Sequence, residues 1–173
     1  KSQMKLAEAQ EKFIQSWGAL ASSWGINRTM AQVHALLMIA PQPMSAEEIM
    51  ERLNISRGSA NMNLRALIDW GLVRKELKQG DRKEYFVAEK DIWTIAMRII
   101  QERKRRELNP VSRIIEEVSE VEIDKNDPEA IAFQQTIENI QKFLTNADIL
   151  LTRISNADEN WFTQVLMKML TKT

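Results

Sequence analysis

The sequence predicts a mainly α-helical protein interrupted by one β-hairpin, and three observations carry that prediction. Apolar residues recur at helical spacing through most of the chain. Cap and stop residues divide that pattern into separate helices. The periodicity breaks once, at 72–87, into two short runs rich in strand formers around a glycine turn.

Each element follows in order. Leu6, Phe13, Trp17, Leu20 and Trp24 fall on one helical face, with Gly25 as the stop. Asn27 can cap a second helix carrying Met30, Val33, Leu37 and Ala40, which Pro41 and Pro43 end. Ser45 and Glu48 form a capping box for a helix that buries Ile49 and Leu53. Ser56 starts a fourth helix with Ala60, Leu64, Leu67 and Ile68 turned inward and Gly71 beyond its end. Leu72–Lys78 and Tyr85–Val87 read as strands joined through Gly80-Asp81. A two-stranded hairpin is marginal by itself, so it must pack on the helices before it.

Helix returns from Asp91 to Leu108, with apolar stripes wide enough for two packing partners. Asn109-Pro110 and Asp127-Pro128 each read as a cap followed by proline, and the acidic stretch 116–129 as a solvated linker. Ala130, Phe133, Ile137, Ile140, Leu144, Ala147, Leu151 and Ile154 then alternate spacings of three and four. That heptad seam suits helix–helix dimerisation, the alternative being a helix facing the core of a monomer. Asn156 and Glu159 would cap a last helix with Trp161, Val165, Leu166 and Met169 on its apolar face. The expected organisation is N-terminal helices at 1–44 that pack on the head and contribute to dimerisation, a head at 45–90, and connector and dimerisation helices at 91–173.

Composition narrows the chemistry. The 173 residues fit one domain or two small ones, and 44% hydrophobic content supports a packed core. There is no cysteine, and His34 is the single histidine, so thiolate and HExxH-type zinc sites are excluded and no metal or cofactor is expected. His34 is expected to be satisfied by a hydrogen bond. The acidic run from Glu116 to Asp127 lacks the glycine and spacing of a calcium loop. No apolar run approaches the roughly 20 residues of a membrane span, which points to a cytoplasmic protein without a membrane partner. No constellation for catalysis is present, so an enzyme is not expected. The net charge is zero, yet basic residues outnumber acidic ones by four over 47–106 and acidic outnumber basic by six over 107–173. The basic middle suits a polyanion.

The order helix, turn, helix, basic hairpin at 45–88 is that of a winged helix-turn-helix, whose second helix enters the DNA major groove. With Ala60, Leu64 and Leu67 inward, that helix shows Arg57, Gly58, Asn61, Met62 and Arg65 outward. Arginine pairs bidentately with guanine, asparagine with adenine, and Met62 suits a thymine methyl. Gly58 lets a phosphate approach the helix start, and Ser56 and Ser59 suit a cap and a phosphate donor. Arg82 and Lys83 at the hairpin tip suit a neighbouring minor groove, with Asp81 expected to orient Arg82 by pairing with it. Trp17, Trp24 and Trp93 could wall a quaternary-ammonium effector site by cation–π attraction, or could simply be core. A protein-interaction scaffold built on a winged helix stays open beside the DNA reader.

Residues 45–88 resemble the DNA-binding heads of MarR-type transcriptional regulators. The matching stretches are Ser45-Ala-Glu-Glu-Ile, Leu53-Asn-Ile-Ser-Arg-Gly-Ser-Ala-Asn-Met-Asn-Leu-Arg-Ala-Leu, Trp70-Gly-Leu-Val and Gly80-Asp-Arg-Lys. The family's wing motif sets an aspartate and an arginine two apart, whereas Asp81 and Arg82 are adjacent. Phe13-Ile-Gln-Ser-Trp-Gly, continuing to Trp24-Gly, resembles the GbsR branch, named for control of glycine betaine synthesis. The resemblance implies a homodimer on a pseudo-palindromic operator, usually a repressor and sometimes released by a small ligand. The dimer residues would be Phe133, Ile137, Ile140, Leu144, Leu151 and Ile154.

Overall fold

In the computed structural model the described residues are 4–122, 124 and 126–158. The element order is α1 (Leu6–Ser23), α2 (Arg28–Ile39), β1 (Met44–Ser45), α3 (Ala46–Leu53), α4 (Arg57–Asp69), β2 (Val73–Leu77), β3 (Glu84–Ala88) and α5 (Ile92–Arg103), followed by a π-helical turn at Lys104–Leu108, α6 (Asn109–Ser119) and α7 (Pro128–Ser155). The chain divides into two compact units, 1–95 and 96–173. The last helix expected around Trp161, Val165, Leu166 and Met169, and its Asn156/Glu159 cap, fall at least partly outside the described residues.

The first unit is built around α2. The Asn27 side chain accepts from the Met30 amide at 3.0 Å and starts the helix as expected. Sequence periodicity assigns α2 one inward face, but Met30, Ala31, Val33, His34, Ala35, Leu36 and Leu37 are all buried. The reason is that α1, α3, α4 and β3 all pack against it. Ile14, Leu37, Ile49, Leu64 and Leu67 form the driest part of this core.

Two expectations about this unit are corrected. The aromatic stripe of α1 is not its packing face. Ile14 and Gly18 are buried instead, and a Cβ at Gly18 would come within 2.8 Å of Gln32 Cγ. Close approach through Gly18 brings α2 near enough for Gln15 Oε1 to accept from Arg28 at 3.1 Å and from Gln32 at 2.8 Å. Leu6, Leu20 and Trp24 are left exposed, while Phe13 and Trp17 lean on one another with ring centroids 5.6 Å apart. His34 is not satisfied as expected: its Nε2 is buried without a hydrogen-bond partner among the described residues. Burial pushes its imidazole down to about 4, because the charged form loses its water.

The hairpin forms where expected and gains a third strand that periodicity did not reveal. The sheet is antiparallel in the order β1-β3-β2. Ser45 pairs with Tyr85 and Met44 with Phe86, while Lys75 faces Phe86 across the other side of β3. A two-residue strand is too short to show alternation, so only the tertiary pairing defines it.

The second unit holds a continuous helical run where two helices were expected. Asn109 is not a cap: it has helical angles, and its amide reaches back five residues to the Lys104 carbonyl. Pro110 has no amide hydrogen and crowds the turn before it, and the wider π turn accommodates it. Inside this run Glu102 is buried and takes Arg105 at 2.7 and 2.9 Å together with Arg106. The acidic stretch is only partly linker, since Glu116 and Glu117 belong to α6. Asp127 caps α7 by accepting from Glu129, with Pro128 in the first turn. Lys104 ties the π turn to α7 through Asp148 at 2.9 Å and Thr152 at 2.7 Å.

Within α7, Ile137 and Leu144 are the buried members of the heptad seam. Phe133 and Ile140 stay exposed, Leu151 and Ile154 are half-buried, and Phe143, Ile149 and Leu150 outside the seam are exposed too. An open groove of about 380 Å³ runs along Ile100, Leu108, Val111, Leu144 and Leu151.

Candidate nucleic-acid interface

The site begins with the joint between α3 and α4. Ser45 ends β1 and caps α3: its hydroxyl accepts from the Glu48 amide at 3.3 Å, and Glu48 accepts from the Ser45 amide at 2.6 Å. The Ser45 amide, then its hydroxyl, holds the Glu48 carboxyl below its ordinary range. Asn54 closes α3 in the left-handed region at φ 50°, where asparagine is tolerated better than most residues. The chain can therefore turn sharply into Ser56, whose hydroxyl accepts from the Ser59 amide at 3.2 Å and caps α4.

Helix α4 sorts its residues as periodicity requires. Ala60, Leu64 and Leu67 are buried against the head, and Arg57, Gly58, Asn61, Met62 and Arg65 are exposed. Arg57 is only loosely held, 3.9 Å from Glu47 with both side chains mostly exposed; such pairs contribute little. Nothing lies within 4 Å of where a Cβ on Gly58 would point. Glycine costs a helix stability relative to alanine, and no contact within the head requires it here.

One buried polar residue was not anticipated. Asn63 is turned inward with the apolar set, and its amide group donates to the Ser59 carbonyl at 2.8 Å and to the Ser59 hydroxyl at 3.3 Å. Spacing alone marks Asn63 as an inward position, and that was the signal available. Ser59 is thus held at both its amide and its hydroxyl oxygen.

The wing is the loop 78–83 between β2 and β3. Gly80 takes φ +84°, which a glycine adopts without strain. Arg82 and Lys83 are exposed at its tip. Asp81 does not do what adjacency to Arg82 suggests. Its carboxylate accepts from the Tyr85 hydroxyl at 2.7 Å and from the Lys83 amide at 3.0 Å. Those bonds, the first the stronger, hold the Asp81 carboxyl below its usual range and push the Tyr85 phenol up. Lys75 is neutralised by Glu84 at 2.7 Å, and the Lys78 ammonium lies 3.8 Å from the centre of the Tyr85 ring.

Comparison with known proteins adds one deciding observation: residues 24–84 match the sequence profile described as the MarR family. Residues 24–84 are thus similar to the MarR family. Over 112 residues it is 27% identical to the HTH-type transcriptional repressor GbsR of Bacillus subtilis (strain 168), covering 65% of this chain and 62% of that protein. Over 76 residues it is 29% identical to the HTH-type transcriptional regulator MmpR5 of Mycobacterium tuberculosis (strain ATCC 25618 / H37Rv), covering 43% of this chain and 46% of the relative. The chain therefore spans less than two thirds of the length of either relative. A solved structure titled as a crystal structure of a transcriptional regulator superposes with TM-score 0.56 at 19% identity, covering 86% of this chain and 99% of that one. That likeness supports the fold.

The matched stretch contains α2, α3, α4 and most of the hairpin, so every residue predicted for DNA contact lies inside it. The tryptophans proposed as effector walls are placed differently. Trp17 stacks near Phe13, Trp24 is 59% exposed at the end of α1, and Trp93 is half-buried on α5. Trp24 is thus open to solvent in a single chain. No group of histidine and carboxylate side chains suited to a metal ion occurs among the described residues. No helix among them is long and apolar enough to cross a membrane.

Proposed function

We propose that this chain is a sequence-specific, double-stranded DNA-binding transcriptional regulator that acts as a homodimeric repressor. The observation that carries the reading is the outward face of α4. Arg57, Asn61, Met62 and Arg65 are exposed together on the helix that follows the turn, beside a wing whose tip carries Arg82 and Lys83. Arginine and asparagine are the side chains that read guanine and adenine edges bidentately in the major groove. The open space at Gly58 leaves the start of α4 free for a phosphate, which the helix N-terminus attracts. Kinship to a repressor and a regulator with helix-turn-helix domains supports the same role.

The exposed apolar residues support pairing with a second copy. Leu6, Leu20 and Trp24 on α1, and Phe133, Ile140, Phe143 and Leu150 on α7, are exposed among the described residues. Large exposed apolar patches mark association surfaces. A two-fold dimer sets its two recognition helices about 34–36 Å apart, for half-sites one helical turn apart.

Selection of sites from random duplex DNA at moderate salt tests the proposal, with the Arg65→Ala, Arg82→Ala double variant alongside. The expected outcome is enrichment of a palindrome by the wild type and binding weakened at least several-fold by the variant, with its oligomeric state unchanged. No enrichment by the wild type would favour the scaffold reading, and equal affinity of the variant would remove this face as the docking surface.

A further inference from the structure

The chain has a single tyrosine, and three features of the wing converge on it. The Tyr85 hydroxyl donates to Asp81 Oδ2 at 2.7 Å. Its ring lies under the Lys78 ammonium, 3.8 Å from the centroid. Its backbone stands between Ser45 of β1 and Glu76 of β2 in the sheet register. Ser45 is also the cap of α3, so the strand position that carries Tyr85 is fixed to the start of the helix-turn-helix. The loop held by these contacts runs from Lys78 to Lys83, and Asp81 fastens its far side by accepting the Lys83 amide at 3.0 Å.

We infer that Tyr85 is a positioning residue for DNA binding: its hydroxyl engages the Asp81 carboxylate and its ring braces Lys78, so the wing is held in one shape with its negative charge occupied. The inference rests on the reading that the wing meets DNA. Duplex DNA presents one negative charge per roughly 1.7 Å of its axis, so a free carboxylate beside Arg82 and Lys83 opposes docking. A carboxylate already accepting two hydrogen bonds has its charge partly compensated and its direction fixed. An exposed six-residue loop also loses conformational freedom when it docks, and contacts made beforehand reduce that loss. Tyrosine suits both tasks because a stiff ring with two side-chain torsions carries the hydroxyl across the turn while offering a face to the lysine.

The experiment uses the full chain and four variants: Tyr85→Phe, Asp81→Asn, the double variant carrying both, and Arg82→Ala as a control. The probe is an operator duplex selected by the wild type, with affinity measured over a series of salt concentrations. Tyr85→Phe is expected to bind roughly five-fold more weakly, the size of one ordinary hydrogen bond made at an exposed position. Asp81→Asn should bind at least as well as the wild type, and adding it to Tyr85→Phe should restore most of the lost affinity. A hydroxyl that served folding alone would give the same loss with or without the charge at Asp81. Ionisation of the lone phenol, followed by absorbance without DNA, supplies a second readout: the phenol should titrate above its ordinary value of about 10 in the wild type and fall toward it in Asp81→Asn. Undiminished affinity in Tyr85→Phe, additive effects in the double variant, or a phenol unmoved by Asp81→Asn would each overturn the assignment. Arg82→Ala separates the two levels of the argument. If it weakens binding while Tyr85→Phe does not, only the role of Tyr85 fails; if the wild type binds no duplex, both fail.

Discussion

Among the described residues, the two compact units of this chain bury their central helices to different degrees. In the first, α2 is enclosed by α1, α3, α4 and β3, and Ile14, Val33, Leu37, Ile49, Leu64 and Leu67 are essentially dry. In the second, α7 buries Ile137 and Leu144, while Phe143 is 70% exposed and Leu150 58% exposed. The same apolar residue types therefore serve two ends. Where several elements surround one helix, burial stabilises a single copy. Where one long helix packs, among the described residues, on α6 and the π turn, part of its surface is left over, and apolar surface that remains in water favours association.

Three variants sharpen that contrast. The largest effect is expected at Leu64. Leu64→Ala should lower unfolding free energy by about 2–5 kcal/mol, because the enclosed core cannot collapse onto the void. Chemical denaturation reads it, and a loss below about 1 kcal/mol would show the first unit to be loosely packed.

His34 tests the same core through pH. Its folded value near 4 lies below its unfolded value of 6.5, so the unfolded chain binds the proton more readily between those limits. Stability from keeping His34 neutral is then complete above pH 6.5 and is lost as pH falls toward 4. The loss amounts to about 3 kcal/mol at 1.36 kcal/mol per pH unit. His34→Gln should flatten the stability profile in that window. An unchanged slope would mean that the imidazole is hydrated in the folded protein.

The smallest effect on folding is expected on α7. Phe143→Ser with Leu150→Ser should change the unfolding free energy of one copy by less than about 1 kcal/mol, since both side chains are already in water. Self-association should weaken at least ten-fold, read by sedimentation. The reverse pattern, lower stability and unchanged association, would make that face part of the monomer.

The two faces of α4 were legible from sequence because its outward residues are the ones that folding does not use. Inward Ala60, Leu64 and Leu67 fix the period, and the outward set follows by subtraction. The caps at Asn27, Ser45, Ser56 and Asp127 were legible for a similar reason: each is a bond between a side chain and an amide two or three residues on. The orientation of α1 was not legible. Its large aromatic stripe is the stronger periodic signal, yet the helix packs through Ile14 and Gly18, because close approach to α2 depends on small size and periodicity scores only hydrophobicity. The π turn was hidden in the same way, since Asn109-Pro110 reads as a helix start and only the path of the chain shows the helix continuing.

Sequence by itself determined the helices, the hairpin, the inward and outward faces of α4 and the charge at the wing tip, because these follow from local bonds and from spacing along one element. Tertiary structure decided which face α1 buries, that Met44 and Ser45 join the sheet, that His34 lies dry, and that Asp81 turns to Tyr85 and the Lys83 amide rather than to the Arg82 side chain. Each of those depends on the geometry with which segments meet, and the spacing of residues along a single segment does not encode it.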